Sequence, residues 1–248
     1  MKLLSTILLV SVTCSFGQGG HPLLLKKKRS VDGLPQALTG CDANAGPWLV
    51  FQTFETPTTG YDNGETWTGT GTGTVDPAYT GVVLQGTQSL RLNQSANTAQ
   101  TITSFAAQDE LYGYFMFRAI SGFPGNPSFL VWLNDSSTIG IEVNSDATLT
   151  ITGNIASTTV ATMTTNVTYH IWWHYKKSPG GANQIQEIAF STDTLKPTSG
   201  NNYAGTSGGS RTTQITSFQC GWDSFAFTQQ FIFDKIRIST NCIGSNPP

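Results

Sequence analysis

Two histidines, His170 and His174, stand four residues apart in the aromatic run Tyr169-His170-Ile171-Trp172-Trp173-His174-Tyr175. On a helix that spacing would put both imidazoles on one face, ready for a shared metal. On a strand they also share a side, but about 13 Å apart at the usual rise, too far for one ion. The run reads as a strand, so no His-based zinc site is expected. No strand-to-helix nucleophile elbow is expected either, and the Thr-Gly run at 68–74 lacks the lysine that a phosphate-cradling loop needs. What the residue types favour is binding. Sugars present apolar C–H faces beside many hydroxyls, so their sites pair flat aromatic rings with amides, carboxylates and Arg. Along 110–120, alternation puts Tyr112, Tyr114, Met116 and Arg118 on one side and Leu111, Phe115, Phe117 and Ala119 on the other. Segment 128–134 adds Trp132 and Asn134, and segment 169–177 adds His170, Trp172 and His174. If these strands are neighbours, the eight residues Tyr112, Tyr114, Arg118, Trp132, Asn134, His170, Trp172 and His174 line a groove for an extracellular glycan. The competing expectation is that several of these rings fill the core, where large aromatics usually go.

The elements that would position them are strands. Charged residues make up 11% of the chain, well below the usual quarter. Thr, Ser, Gly, Asn and Gln carry the polarity instead, and Thr and aromatics suit pleated sheets. Strands are expected at 49–54, 89–93, 110–120, 129–134, 138–143, 147–152, 169–177, 184–192, 212–221 and 229–239. Ser178-Pro179-Gly180-Gly181 is the turn of a hairpin joining 169–177 to 184–192. The Thr-Gly run at 68–74 and the Gly-rich stretch 201–210 read as loops. No amphipathic helix of useful length occurs, so the fold class is all-β, a sandwich or barrel of short antiparallel strands.

Ahead of the strands, residues 1–17 read as a secretory signal peptide: Lys2, an apolar run, then small residues around Ser15 and Gly17. Residues 18–46 read as a flexible leader with the basic cluster Lys26-Lys27-Lys28-Arg29, and 47–248 as the single main domain. The rest of the chain has no long apolar run, so no membrane span is expected after signal removal. Five of the thirteen Lys and Arg precede Ser30, leaving eight against fifteen Asp and Glu, a balance of −7. A mildly acidic domain does not suit nucleic acid, which needs clustered positive charge. Export permits a disulfide among Cys41, Cys220 and Cys242. Cys41 precedes the first strong strand and Cys242 follows the last. Antiparallel pairing of those strands would bring the two together, leaving Cys220 as a buried thiol beside Phe218. Asn93, Asn134 and Asn166 stand in Asn-x-Ser/Thr sequons.

Four segments resemble the concanavalin A-like lectin/glucanase superfamily, including its laminin-G-like jelly rolls. They are Phe51-Gln52-Thr53-Phe54-Glu55, Gly86-Thr87-Gln88-Ser89-Leu90-Arg91-Leu92, the Trp-rich run at 169–175, and Phe231-Ile232-Phe233-Asp234-Lys235-Ile236-Arg237-Ile238-Ser239. The resemblance covers about 48–246 and implies a jelly-roll sandwich of two stacked antiparallel sheets. It leaves function open, since such folds carry lectins, glycosidases, lyases and structural modules. Glycosidases of this superfamily place alternating carboxylates along one strand. Here segment 139–144 offers Glu142 alone and segment 185–188 offers Glu187 alone. The Gln-x-His strand of similar lyases is absent. Loops of the superfamily often hold Ca²⁺ through oxygen ligands, which makes Asp62, Glu65, Asp76 and above all Asp62 and Asp234 candidate ligands. The expectation is therefore a secreted, noncatalytic carbohydrate-binding or adhesion module that requires no cofactor. The alternatives are a self-associating surface or fibre protein and a divergent glycoside hydrolase or polysaccharide lyase.

Overall fold

In a computed structural model of the chain, the described residues are Cys41, 46–56, 60–62, 66–70, 73–93, 99–123, 128–134, 139–222 and 229–248. All belong to the unit Leu34–Pro248. The expected signal peptide, the basic cluster, most of the leader and Glu65 lie outside the described residues.

Among the described residues, fifteen strands follow in order. They are β1 (Trp48–Gln52), β2 (Thr68–Thr70), β3 (Thr74–Tyr79), β4 (Ser89–Asn93), β5 (Ala99–Gln108), β6 (Glu110–Ala119), β7 (Ser128–Leu133) and β8 (Gly140–Val143). The rest are β9 (Thr148–Thr152), β10 (Ser157–Thr162), β11 (Tyr169–Lys176), β12 (Gln184–Ser191), β13 (Tyr203–Gly209), β14 (Ile215–Trp222) and β15 (Gln230–Ser239). One sheet runs β13-β12-β11-β6-β15-β4-β3, with β1 also on β15; the other runs β10-β9-β8-β7-β14-β5-β2. Their facing sides make one core, in which Phe115, Phe117, Trp173, Phe218, Phe231 and Phe233 meet. This is the all-β, antiparallel sandwich that the alternation predicts, in the jelly-roll form that the resemblance implies.

Strand phase decides which residues reach that core. On β6, Leu111, Phe115, Phe117 and Ala119 point inward, while Tyr114 and Met116 join a separate cluster on the outer face. On β11, Ile171, Trp173 and Tyr175 are inside and Trp172 is outside. β15 changes phase midway. Phe231 and Phe233 are core, and so are Ile236 and Ile238. An irregularity between Asp234 and Arg237, with Lys235 at φ 45°, supplies the extra residue that resets the alternation. The same irregularity divides one flank of β15: Gln230 to Phe233 pair with β4, and Ile236 to Ser239 with β1.

The β1–β15 pairing sets Trp48 opposite Ser239 and the Cys41–Cys242 disulfide closes beside it, with Cα atoms 5.0 Å apart. Cys220 is a free, buried thiol. The hairpin of β11 and β12 is in register from His170–Ser191 to Lys176–Ile185. Two expected loops are strands. The Thr-Gly run opens with β2, paired to β5 from Thr68 to Thr70. The Gly-rich stretch contains β13, paired to β12 from Tyr203 to Gly209. Both are edge strands, where backbone pairing suffices and little side-chain patterning is required.

Candidate functional site

The outer face of the eight-stranded sheet gathers the chemistry. Register sets Glu110 beside Lys176, Tyr112 beside His174, Tyr114 beside Trp172 and Met116 beside His170. On the next strand, His174 faces Glu187, which in turn faces Gly205. These rows exist because β6, β11 and β12 are long, unbroken and in phase, so every second side chain stands on one surface.

His174 is the hub. Its Nδ1 is 2.8 Å from Glu187 Oε2 and its Nε2 is 3.0 Å from Glu110 Oε1. Carboxylate oxygens face both ring nitrogens, an arrangement that favours the doubly protonated ring. Burial on its own would depress its pKa, but the hydrogen bonds to Glu110 and Glu187 outweigh burial and raise it above the usual value. Tyr203 donates to Glu187 Oε1 at 2.9 Å, and Tyr112 to Glu110 Oε1 at 2.8 Å. Lys176 pairs with Glu110 Oε2 at 2.9 Å. The hydrogen bond from His174, helped by Lys176 and Tyr112, holds Glu110 down at about 2. The Tyr112 ring lies flat on His174, with centroids 4.1 Å apart and planes 5° apart. Glu187 is wholly buried and His174 nearly so, whereas Glu110, Tyr112, Lys176 and Tyr203 are only partly buried.

Farther along this face the aromatic residues are covered. Trp172 is 0% and Tyr114 1% exposed, because the strap 242–248 following β15 lies over them. Ile243 packs with Tyr114, Met116 and Trp172, and Trp172 Nε1 donates to Gly244 O at 3.1 Å. Tyr114 Oη bonds His170 Nδ1 at 2.7 Å, and burial lowers the His170 pKa. Tyr114 and Trp172 therefore offer no open ring to a ligand, in contrast to the expected groove.

The eight expected groove residues do not come together. Tyr112, Tyr114, His170, Trp172 and His174 share this face, and Arg118 stands beyond Met116 at its far end. Trp132 and Asn134 belong to β7 and the turn after it, in the other sheet. Trp132 stacks on Phe129 with centroids 3.6 Å apart. Asn134 clamps a turn, donating to Gln214 O and accepting from Thr216 N. Glu142 likewise sits on β8 of the second sheet, with its pKa raised by burial, so it forms no pair with Glu187. The carboxylate that accompanies Glu187 is Glu110. It is in phase with Tyr112 and Tyr114, so the alternation held a signal for it. Tyr203 carried none, being in a Gly-rich stretch.

The candidate cation ligands fall into separate networks. Asp62 accepts from Thr53 N at 2.7 Å, Thr56 Oγ1 at 2.8 Å and Thr53 Oγ1. These bonds outweigh burial and lower its pKa. Asp76 pairs with Arg91. Asp234, 1% exposed, accepts from Ser89 Oγ and Gln85 N, and burial raises it to about 7. A cavity of about 190 Å³ is lined by Asp234 and Glu55 with Thr53, Gln85, Gly86 and Lys235; Asp62 does not line it. Glu55, which accepts from Thr87 N and Oγ1, therefore shares a pocket with Asp234 and with Lys235, and Asp62 does not. Among the described residues, no group of three or more His, Cys, Asp or Glu is placed to hold a metal.

No protein-family model matches the chain, and no curated protein sequence matches it. Solved structures do. Cellulose induced protein, Cip1, superposes with a TM-score of 0.55 at 17% identity, over 79% of this chain and 99% of that one. The binding domain of Paraclostridial Mosquitocidal Protein 1 gives 0.55 at 12% identity, over 79% and 49%. The receptor binding domain of botulinum neurotoxin type G gives 0.52 at 10%, over 82% and 50%. The chain thus spans almost all of the first and about half of the two toxin domains. At such identities the likeness concerns the fold alone, a jelly roll of two antiparallel sheets.

Proposed function

We propose that this chain is a secreted, noncatalytic carbohydrate-binding module that uses the outer face of its eight-stranded sheet. The observation that carries this reading is the half-open patch of Tyr112, Glu110, Lys176 and Tyr203 around the buried His174–Glu187 pair. A flat ring beside fixed charges and hydroxyls suits the mixed apolar and polar surface of a sugar. Of the structural neighbours, one is named as induced by cellulose, one as a binding domain and one as a receptor binding domain. A disulfide of this kind is favoured by an oxidising compartment, which fits secretion.

The hub also argues against hydrolysis. A glycosidase needs room between its carboxyl groups for a sugar carbon or a water. Here the ring of His174 fills the space between Glu110 and Glu187. Glu110, held at about 2, is ionised at neutral pH and has no proton to donate. Calcium, where bound, would take Glu55 and Asp234 at the β15 irregularity and brace the junction of β1, β4 and β15 rather than contact the sugar.

The test is retention of the full chain on immobilised polysaccharides, followed by a glycan array. Tyr112→Ala and Lys176→Ala should each weaken retention at least tenfold on a ligand that the unmodified chain binds. Retention unchanged in both variants, with folding intact, would sink this reading.

A further inference from the structure

The strap 242–248 does what a ligand on this face would do. It contributes one buried apolar side chain, Ile243, to the cluster of Tyr114, Met116 and Trp172. Pro247 is buried as well, and the backbone of the strap presents mainly acceptors. Ile243 O accepts from Lys196 Nζ at 2.5 Å, Gly244 O from Trp172 Nε1 at 3.1 Å and Pro248 O from Arg237 Nε at 2.8 Å. A lysine amine, an indole N–H and a guanidinium are aimed at carbonyls on either side of the bend at Ser245 and Asn246. Two further bonds tie the strap to the connection after β12: Lys196 N to Ser245 Oγ, and Asn246 N to Thr194 O. An isolated β-bridge at Ile243 adds one point of backbone pairing, and the Cys41–Cys242 bridge anchors its root.

We infer that the strap is a tethered occupant of a ligand site, and that lifting it lengthens the sugar-binding face from Tyr112 to Trp172. This rests on the carbohydrate-binding reading. The uncovered floor would be Tyr114 and Trp172, with Lys196, Arg237 and the Trp172 indole as donors to hydroxyl or ring oxygens. Apolar C–H surface beside a row of oxygen acceptors is also what a glycan chain offers. A ligand can therefore take the place of the strap while the core between the sheets stays intact.

The experiment uses the full chain with Ile243→Asp, which puts a charge into the apolar cluster but keeps the disulfide. A second variant, Cys41→Ser with Cys242→Ser, frees the root instead. Hydrogen exchange should accelerate at least tenfold at 243–246 in either variant, while β6 and β11 keep their protection. Retention on immobilised polysaccharides should rise at least tenfold. A labelled peptide of sequence 242–248, with Ser for Cys, should bind the Ile243→Asp chain saturably and compete with the sugar. If β6 and β11 lose protection together with 243–246 in both variants, the strap is part of the core and the inference fails. It fails equally if the strap is released yet neither peptide nor sugar binds better than before. Saturable peptide binding with no polysaccharide bound by any form would uphold the tethered occupant and sink the carbohydrate-binding reading.

Discussion

Glu187→Gln tests the hub of the outer face. Glu187 is 0% exposed and accepts from two donors, His174 Nδ1 and Tyr203 Oη. A glutamine oxygen can satisfy one of them; its amide N–H groups then confront the other. Removing one partner of a buried ion pair costs about 3–5 kcal/mol. Because Gln retains an acceptor and His174 retains Glu110, the loss should be about 2–4 kcal/mol. In a domain of this size that corresponds to a fall in Tm of roughly 5–12 °C. The pH dependence is the sharper readout. The folded pKa of His174 is raised, so its contribution to stability is complete below its unfolded value and fades as pH climbs through the raised one. In the variant, burial, which lowers the pKa, is opposed by Glu110 alone. The His174 pKa should drop, and the loss of stability should begin at lower pH. Melting curves between about pH 5 and 9, with NMR titration of the His174 ring, measure both effects. If Tm stays within about 1 °C of the parent and the ring titrates unchanged, the two-carboxylate account of this face is wrong.

Gly113→Ala should cost about 3 kcal/mol by overpacking, because a Cβ there would lie 2.0 Å from Trp173 Cε2 and that ring is stacked on Phe218. Adding Trp173→Leu should recover part of the loss in a double-mutant cycle, and a neutral Gly113→Ala melt would contradict the packing. In chelator, the Asp234 contribution should diminish as pH rises from about 4 to about 7, since burial raises its folded pKa to about 7 and the ionised form is the disfavoured one. Calcium should raise the parent Tm and leave Asp234→Asn unmoved; equal responses would remove Glu55 and Asp234 as ligands. At the acid end, Glu110 stabilises above its unfolded pKa and loses that effect as pH falls through about 2. Glu110→Gln should therefore flatten the acid limb of the Tm profile.

Much of the sandwich was legible because the long strands alternate cleanly. Tyr112 and Tyr114 against Leu111 and Phe115 fixed the two sides of β6, and the ends of β1 and β15 fixed the disulfide. Edge strands escaped detection because β13 and β2 are held by backbone pairing and carry few large side chains. β5 was hidden differently: Thr101 and Thr103 are buried, with Thr101 bonded to Tyr61 Oη, so its core face does not read as apolar. Alternation tells which residues share a strand face but not which sheet a strand joins. Trp132 was therefore grouped with Trp172, although β7 and β11 belong to different sheets. Nor does alternation reveal what lies on top of a face. Ile243 follows the last strand without a periodic pattern, yet it is what shuts Trp172 and Tyr114 away from solvent.

The last two strands to emerge during synthesis, β14 and β15, are interior members of their sheets, lying between β7 and β5 and between β6 and β4. Until they arrive, neither half-made sheet can close. A nascent chain must wait with bare hydrogen-bonding rims at β4, β5, β6 and β7, and such rims invite pairing with neighbouring chains. The sandwich therefore closes only after β15 has emerged, and its assembly is dominated by distant contacts and slow. Loss of even the final thirty or so residues would remove the middle of one layer and leave two unjoined ribbons in place of a smaller domain.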